Sequence, residues 1–165
     1  MANVTLGGNA LHTNGELPAK GSTAKDFSLV NSDLGTVSLE NYKGSKLILN
    51  IFPSIDTATC ATSVREFNKK AASLSNTKVL CISRDLPFAQ KRFCGAEGIA
   101  DVVTLSDFRD GSFGKAYGVE LQDGVLKGLH ARSVVVLNEN HDVVYSELVS
   151  EIKNEPNYEA ALKSL

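Results

Sequence analysis

The apolar run Leu47-Ile48-Leu49-Asn50-Ile51-Phe52, followed after a short turn by a helical stripe, constrains the fold of this chain more than any other feature. So short and apolar a run reads as a buried strand, since a strand facing water on one side would alternate. Beyond the turn, Cys60, Val64, Phe67, Ala71 and Leu74 recur at helical spacing and predict an amphipathic helix. Strand, turn and helix make one βα unit, and Lys78 to Ser83 follows as a second buried strand. Asp85 is the expected cap of a short helix entered through Pro87 and ended near Gly95. A strand at Val102 to Leu105 and a helix from Ser112 to Tyr117 come next.

The pattern then becomes antiparallel. Ala131 to Leu137 and Val143 to Leu148 are β-rich and flank Asn138-Glu139-Asn140-His141, a hairpin. Asn157 to Leu165 reads as a closing helix with Pro156 at its start. At the other end, Val4-Thr5-Leu6 and Ala10-Leu11-His12 flank Gly7-Gly8-Asn9 as a hairpin. Phe27 to Val30 begins the domain proper, with a turn near Asp33-Leu34-Gly35. Parallel βα units followed by a β-hairpin and a helix predict a thioredoxin-like α/β fold. Its central mixed sheet is flanked by helices, with an added N-terminal β-hairpin in residues 1–20 of a single domain spanning 1–165. A chain of 165 residues buries a substantial core without metal or disulfide staples.

The chemistry concentrates at the turn Pro53-Ser54-Ile55-Asp56-Thr57-Ala58-Thr59-Cys60. Asp56, Thr57 and Thr59 are candidate N-caps, so Cys60 falls in the first helical turn. Unpaired N–H groups and the positive end of the helix dipole favour thiolate over thiol at such a position. Pro53 stops the strand, and Thr57 lies one turn before the cysteine with a hydroxyl able to donate to sulfur. The competing reading is a small apolar residue on the inward stripe, because free cysteine is among the most buried residue types.

Pro53, Thr57 and Cys60 match the Pro-x-x-x-Thr-x-x-Cys motif of the peroxiredoxins. Ser63-Val64-Arg65 and the block from Asp85-Leu86-Pro87-Phe88-Ala89-Gln90 through Phe93-Cys94-Gly95-Ala96-Glu97-Gly98 extend the match. Over nearly its whole length the chain resembles the bacterial thiol peroxidases, the atypical two-cysteine branch of that family. It departs from the pattern at Ala58 and Thr59, where the family usually has proline and an aliphatic residue, which makes the turn looser and the pocket more polar.

The resemblance implies a peroxidase that reduces hydrogen peroxide and organic hydroperoxides. Cys60 is then the peroxidatic cysteine and Cys94 the resolving one, the two closing an intramolecular disulfide re-reduced by thioredoxin. Arg132, at the start of the Ser133 strand, matches the arginine placed beside the reactive sulfur, and Pro53 shields the pocket. A homodimer is implied in the same way. A disulfide needs Cα atoms within about 7 Å, so local unwinding around both cysteines is expected in each cycle. A non-enzymatic redox-sensing module would use the same pair of thiols and stands as the alternative.

Other residues carry less. Cys81 lies in Val79-Leu80-Cys81-Ile82, apolar on both sides, and reads as an inert strand thiol. Arg65 reads as a surface charge or a distant support of Cys60. His12, His130 and His141 are dispersed, and neither a Cys-x-x-Cys nor a His-x-x-x-His pair is present, so no metal site or other cofactor is expected. The missing Cys-x-x-Cys also argues against a general disulfide oxidoreductase. A net charge of -2 with scattered lysines and arginines gives no basis for nucleic-acid or membrane binding. Three cysteines do not make a secreted disulfide framework, and Met1 to Gly8 lacks the pattern of a secretory signal, so a cytoplasmic location is expected.

Overall fold

A computed structural model describes residues 1–165. Strands β1 (Asn3–Leu6) and β2 (Asn9–His12) pair antiparallel as a separate hairpin. Its turn is possible because Gly7 and Gly8 take φ of 58° and 84°, which side chains resist. The main sheet has seven strands: β3 (Leu29–Val30), β4 (Thr36–Val37), β5 (Lys46–Ile51), β6 (Thr77–Ser83), β7 (Val103–Ser106), β8 (Ser133–Leu137) and β9 (Val143–Leu148). Their order across the sheet is β4-β3-β7-β6-β5-β8-β9. The β5–β6 and β6–β7 pairs are parallel, and the β3–β7, β5–β8 and β8–β9 pairs are antiparallel. The expected mixed sheet is present.

Helices α1 (Ala58–Ala71) and α2 (Pro87–Glu97) make the two parallel crossovers. Helices α3 (Ser112–Tyr117) and α4 (Tyr158–Lys163) complete the layers. Period-two alternation along β5 divides the core. Leu47, Leu49 and Ile51 pack with Leu80, Ile82, Leu105 and α3's Phe113 and Tyr117. On the opposite face Ile48 packs with Val79, Cys81, Val64, Phe67, Phe93 and Ala161, under α1, α2 and α4. All three cysteines belong to this second layer.

Four local readings change. A short 3-10 helix at Leu39–Tyr42 and strand β4 were not visible as periodic segments, because each is too short to show a period. Helix α2 continues past Gly95 to Glu97, since Gly98 and not Gly95 takes the left-handed closing conformation, at φ 64°. Asp85 does not cap that helix: Leu86 holds the N-cap position and makes no side-chain bond there. Helix α4 starts at Tyr158 and ends at Lys163, with Asn157 outside it accepting from the Ala160 N–H at 3.0 Å.

Candidate active site

Strand β5 and helix α1 deliver Cys60 to the centre of the site. Thr57 is the N-cap, and Cys60 is the third residue of α1, in its first turn as expected. The Cys60 side chain is fully buried. The N–H groups of that turn receive no side-chain cap, which leaves their partial positive charge facing the site.

Strand β8 brings Arg132 to the sulfur. One guanidinium nitrogen, Nη2, donates to Cys60 Sγ at 3.3 Å, and Nε donates to the Ile152 carbonyl at 2.8 Å. The third, Nη1, is buried without any hydrogen-bond partner. Arg132 is only 2% exposed and forms no ion pair with a carboxylate. A buried cation without a carboxylate is costly, and Sγ, once ionised, is placed to supply the missing charge. The Nη1 donors are left unpaired inside the fold.

Pro53 is buried, two residues past the end of β5. The Thr57 hydroxyl does not donate to sulfur: its single proton goes to the Ser54 carbonyl at 3.0 Å, which also receives the Thr57 N–H at 3.1 Å. Thr59 donates to the Lys153 carbonyl at 3.0 Å, so the polar residue in a usually aliphatic position ties α1 to the loop that holds Arg132. Arg65 reaches α2, pairing with Glu97 at 2.7 Å and lying 5.6 Å over the Phe93 ring. It does not approach Cys60 by any hydrogen bond.

Cys94 lies in the last turn of α2, half-buried beside a shallow cleft lined by Ser32, Lys91, Ile99 and Thr104. Burial raises its thiol pKa, and a Thr104 hydrogen bond partly opposes this. All three cysteines are free thiols. Cys81 is fully buried, and burial pushes its thiol up to about 12 against the weak donation from Asn50 Nδ2 at 3.7 Å. Because folding holds this proton, its contribution to stability is complete below about pH 9 and is lost as pH climbs towards 12. Wild type is expected to lose stability relative to Cys81→Ala between about pH 9 and pH 11 in urea titrations. A gap that stays constant over that range contradicts the assignment.

The histidines stay apart. His12 bonds Asp123 at 2.6 Å, His130 bonds Asp107 at 2.9 Å, and His141 meets the Tyr42 carbonyl at 3.1 Å. No three His, Cys, Asp or Glu side chains gather in a metal-binding arrangement. Sequence reasoning missed two supports of the site. One is the 151–153 segment, where the Ile152 and Lys153 carbonyls receive Arg132 and Thr59. The hairpin's Thr5 bonds the Ser150 carbonyl and the Ile152 N–H, and Glu151 accepts from Gly8 and Lys153 N–H groups, which hold its carboxyl at about 2. The other is Asp85, whose Oδ2 accepts from the Ile55 N–H. The first has no local signal, because backbone acceptors leave no mark in residue type, and the Asp85 carboxylate finds its donors only where the fold brings Ser54, Ile55 and Ser83 together.

A family model described as Redoxin matches residues 19–162. The chain is 57% identical over 165 residues, all of this chain and 99% of the relative, to a thiol peroxidase of Mycobacterium tuberculosis. It is 56% identical over the same extents to a thiol peroxidase of Corynebacterium glutamicum. The crystal structure of a peroxiredoxin-like protein from Aquifex aeolicus superposes with a TM-score of 0.92 at 37% identity, covering 99% of this chain and 96% of that one.

Proposed function

The chain belongs to the redoxin family, among its thiol peroxidases, and from that premise we propose that it reduces hydroperoxides with Cys60 as nucleophile. One observation supports this above the others: a buried guanidinium without a carboxylate partner, bonded to Cys60 Sγ and with its Nη1 amino group unpaired. The Cys60 thiolate attacks the distal oxygen of ROOH, the O–O bond breaks, and the leaving alkoxide takes a proton to become ROH, or water from hydrogen peroxide. Cys60 is then a sulfenic acid. Arg132 Nη1 donates to the peroxide, while Nη2 holds the sulfur. Pro53 keeps bulk water away, and Thr57 sets the helix start from which Cys60 projects.

The Cys94 thiolate then attacks the sulfenic sulfur, hydroxide leaves and is protonated to water, and the Cys60–Cys94 disulfide forms within one chain. Both helices are wound, so their cysteine-bearing turns unwind to close the bond. Thioredoxin, as a dithiol, restores both thiols and leaves oxidised. The whole cycle takes place in one domain, residues 1–165, with 1–20 as its hairpin extension, in the cytoplasm. A homodimer is supported by exposed Leu86 and Phe88 at the start of α2, an apolar surface a second copy would cover. A light-scattering mass of one chain would remove that assembly.

Stoichiometric hydrogen peroxide is expected to leave the protein at monomer mass on non-reducing gels, with peptide mapping joining Cys60 to Cys94. Cys94→Ser should complete the first oxidation and stall as sulfenic acid or overoxidise. A predominant crosslink between chains, or full thioredoxin-dependent turnover by Cys94→Ser, would reject this cycle.

A further inference from the structure

Asp85 links the ends of two strands, β6 and β7, to the turn that leads to Cys60. Its Oδ1 accepts the Ser54 hydroxyl at 2.7 Å, and its Oδ2 accepts the Ile55 N–H at 2.7 Å and the Ser83 hydroxyl at 2.6 Å. Its backbone carbonyl accepts the Ser106 hydroxyl. Ser83 ends β6 and Ser106 ends β7, so the carboxylate is tied to one strand end and the Asp85 backbone to the next. Gln90 adds to this base, donating to Ser83 Oγ at 3.1 Å and to the Leu105 carbonyl at 2.9 Å.

From Asp85 the bonds run directly towards the nucleophile. Ser54 Oγ, having donated to Asp85, accepts the Asp56 N–H at 3.2 Å, and the Ser54 carbonyl takes both the hydroxyl and the N–H of Thr57. Thr57 is the N-cap of α1, and its carbonyl accepts the Ala61 N–H at 2.9 Å. Arg132 is held from the other side, by β8 and the Ile152 carbonyl. The turn before α1 therefore has an anchor of its own, besides the Thr59 bond that ties α1 to the loop holding Arg132. We propose that Asp85 is a positioning residue for peroxide attack, holding the Pro53–Thr57 turn and the start of α1 in register with Arg132.

This inference rests on Cys60 acting as the peroxide-reducing thiol. If the turn drifts, sulfur and the Arg132 N–H groups no longer share one line of attack, and small displacements of reacting groups are kinetically expensive. Alkylation by iodoacetamide needs no such alignment and serves as the control. For Asp85→Ala, stopped-flow oxidation of Cys60 by hydrogen peroxide is expected to slow about tenfold or more, with alkylation not slowed. Asp85→Asn keeps an acceptor for the Ile55 N–H and should recover most of the rate. Ser54→Ala removes the bonds to Asp85 Oδ1 and from the Asp56 N–H, leaves the Ile55 link, and should slow oxidation about threefold or more. It decides the matter if Asp85→Ala fails to fold.

Oxidation within about twofold of wild type in the folded Asp85→Ala, or in Ser54→Ala where that variant does not fold, overturns the proposal. An equal fall in oxidation and alkylation overturns it too, because that reports a change in the thiolate itself. Failure of wild type to oxidise at Cys60 would instead remove the functional reading beneath it.

Discussion

Cys60→Ser is expected to abolish peroxide consumption in an NADPH-coupled assay with thioredoxin and its reductase. The loss should be about three orders of magnitude or more, the scale on which removal of a covalent nucleophile acts. Serine at this position still offers Arg132 an acceptor, so the buried guanidinium keeps a partner and the fold should survive. A hydroxyl is not ionised near neutral pH, however, and its oxygen is far less nucleophilic than a thiolate. Cys81→Ser supplies the contrast. It lies in the same core layer, but its thiol stays protonated at neutral pH, so its loss should leave the cycle running at some cost in stability from the buried hydroxyl. Activity retained by Cys60→Ser and lost by Cys81→Ser would reverse the assignment.

Arg132→Ala should slow the first oxidation of Cys60 by about a hundredfold, comparable to deleting a preorganised donor aimed at developing charge. Two effects combine. The sulfur loses the cation at 3.3 Å, and the peroxide loses the otherwise unpartnered Nη1–H. The substitution also leaves the Ile152 carbonyl without its donor, which by itself costs about 1–3 kcal/mol if no water replaces it. Rate and stability must therefore be measured together, by stopped-flow oxidation and by urea unfolding. Arg132→Lys separates the contributions, since one ammonium cannot reach sulfur, peroxide and Ile152 with the geometry of a planar fork. It should restore part of the stability and little of the rate. Wild-type oxidation and alkylation rates in Arg132→Ala would return this residue to a purely structural role.

The chain of amino acids by itself determined the parts of this protein that depend on local periodicity and on residue chemistry. The largely apolar runs of β5 and β6 could satisfy their backbones only inside a sheet covered on both faces, and α1 carries its stripe at helical spacing. Cys60 at the first turn of that helix was legible because the capping residues stand immediately before it. The Arg132 assignment came from resemblance, since nothing in the neighbourhood of a strand-end arginine tells whether it points to solvent or to a sulfur 72 positions away.

Tertiary structure decided the rest, wherever a group had more than one possible partner. The Thr57 hydroxyl was equally able to meet sulfur or a turn carbonyl, and the close Ser54 carbonyl took its only proton. Asp85 stands where a helix cap would stand, yet its carboxylate is shared among Ser54, Ile55 and Ser83. A carboxylate accepts several bonds and goes where most donors converge, and that convergence exists only once the end of β6 lies beside the turn that follows β5.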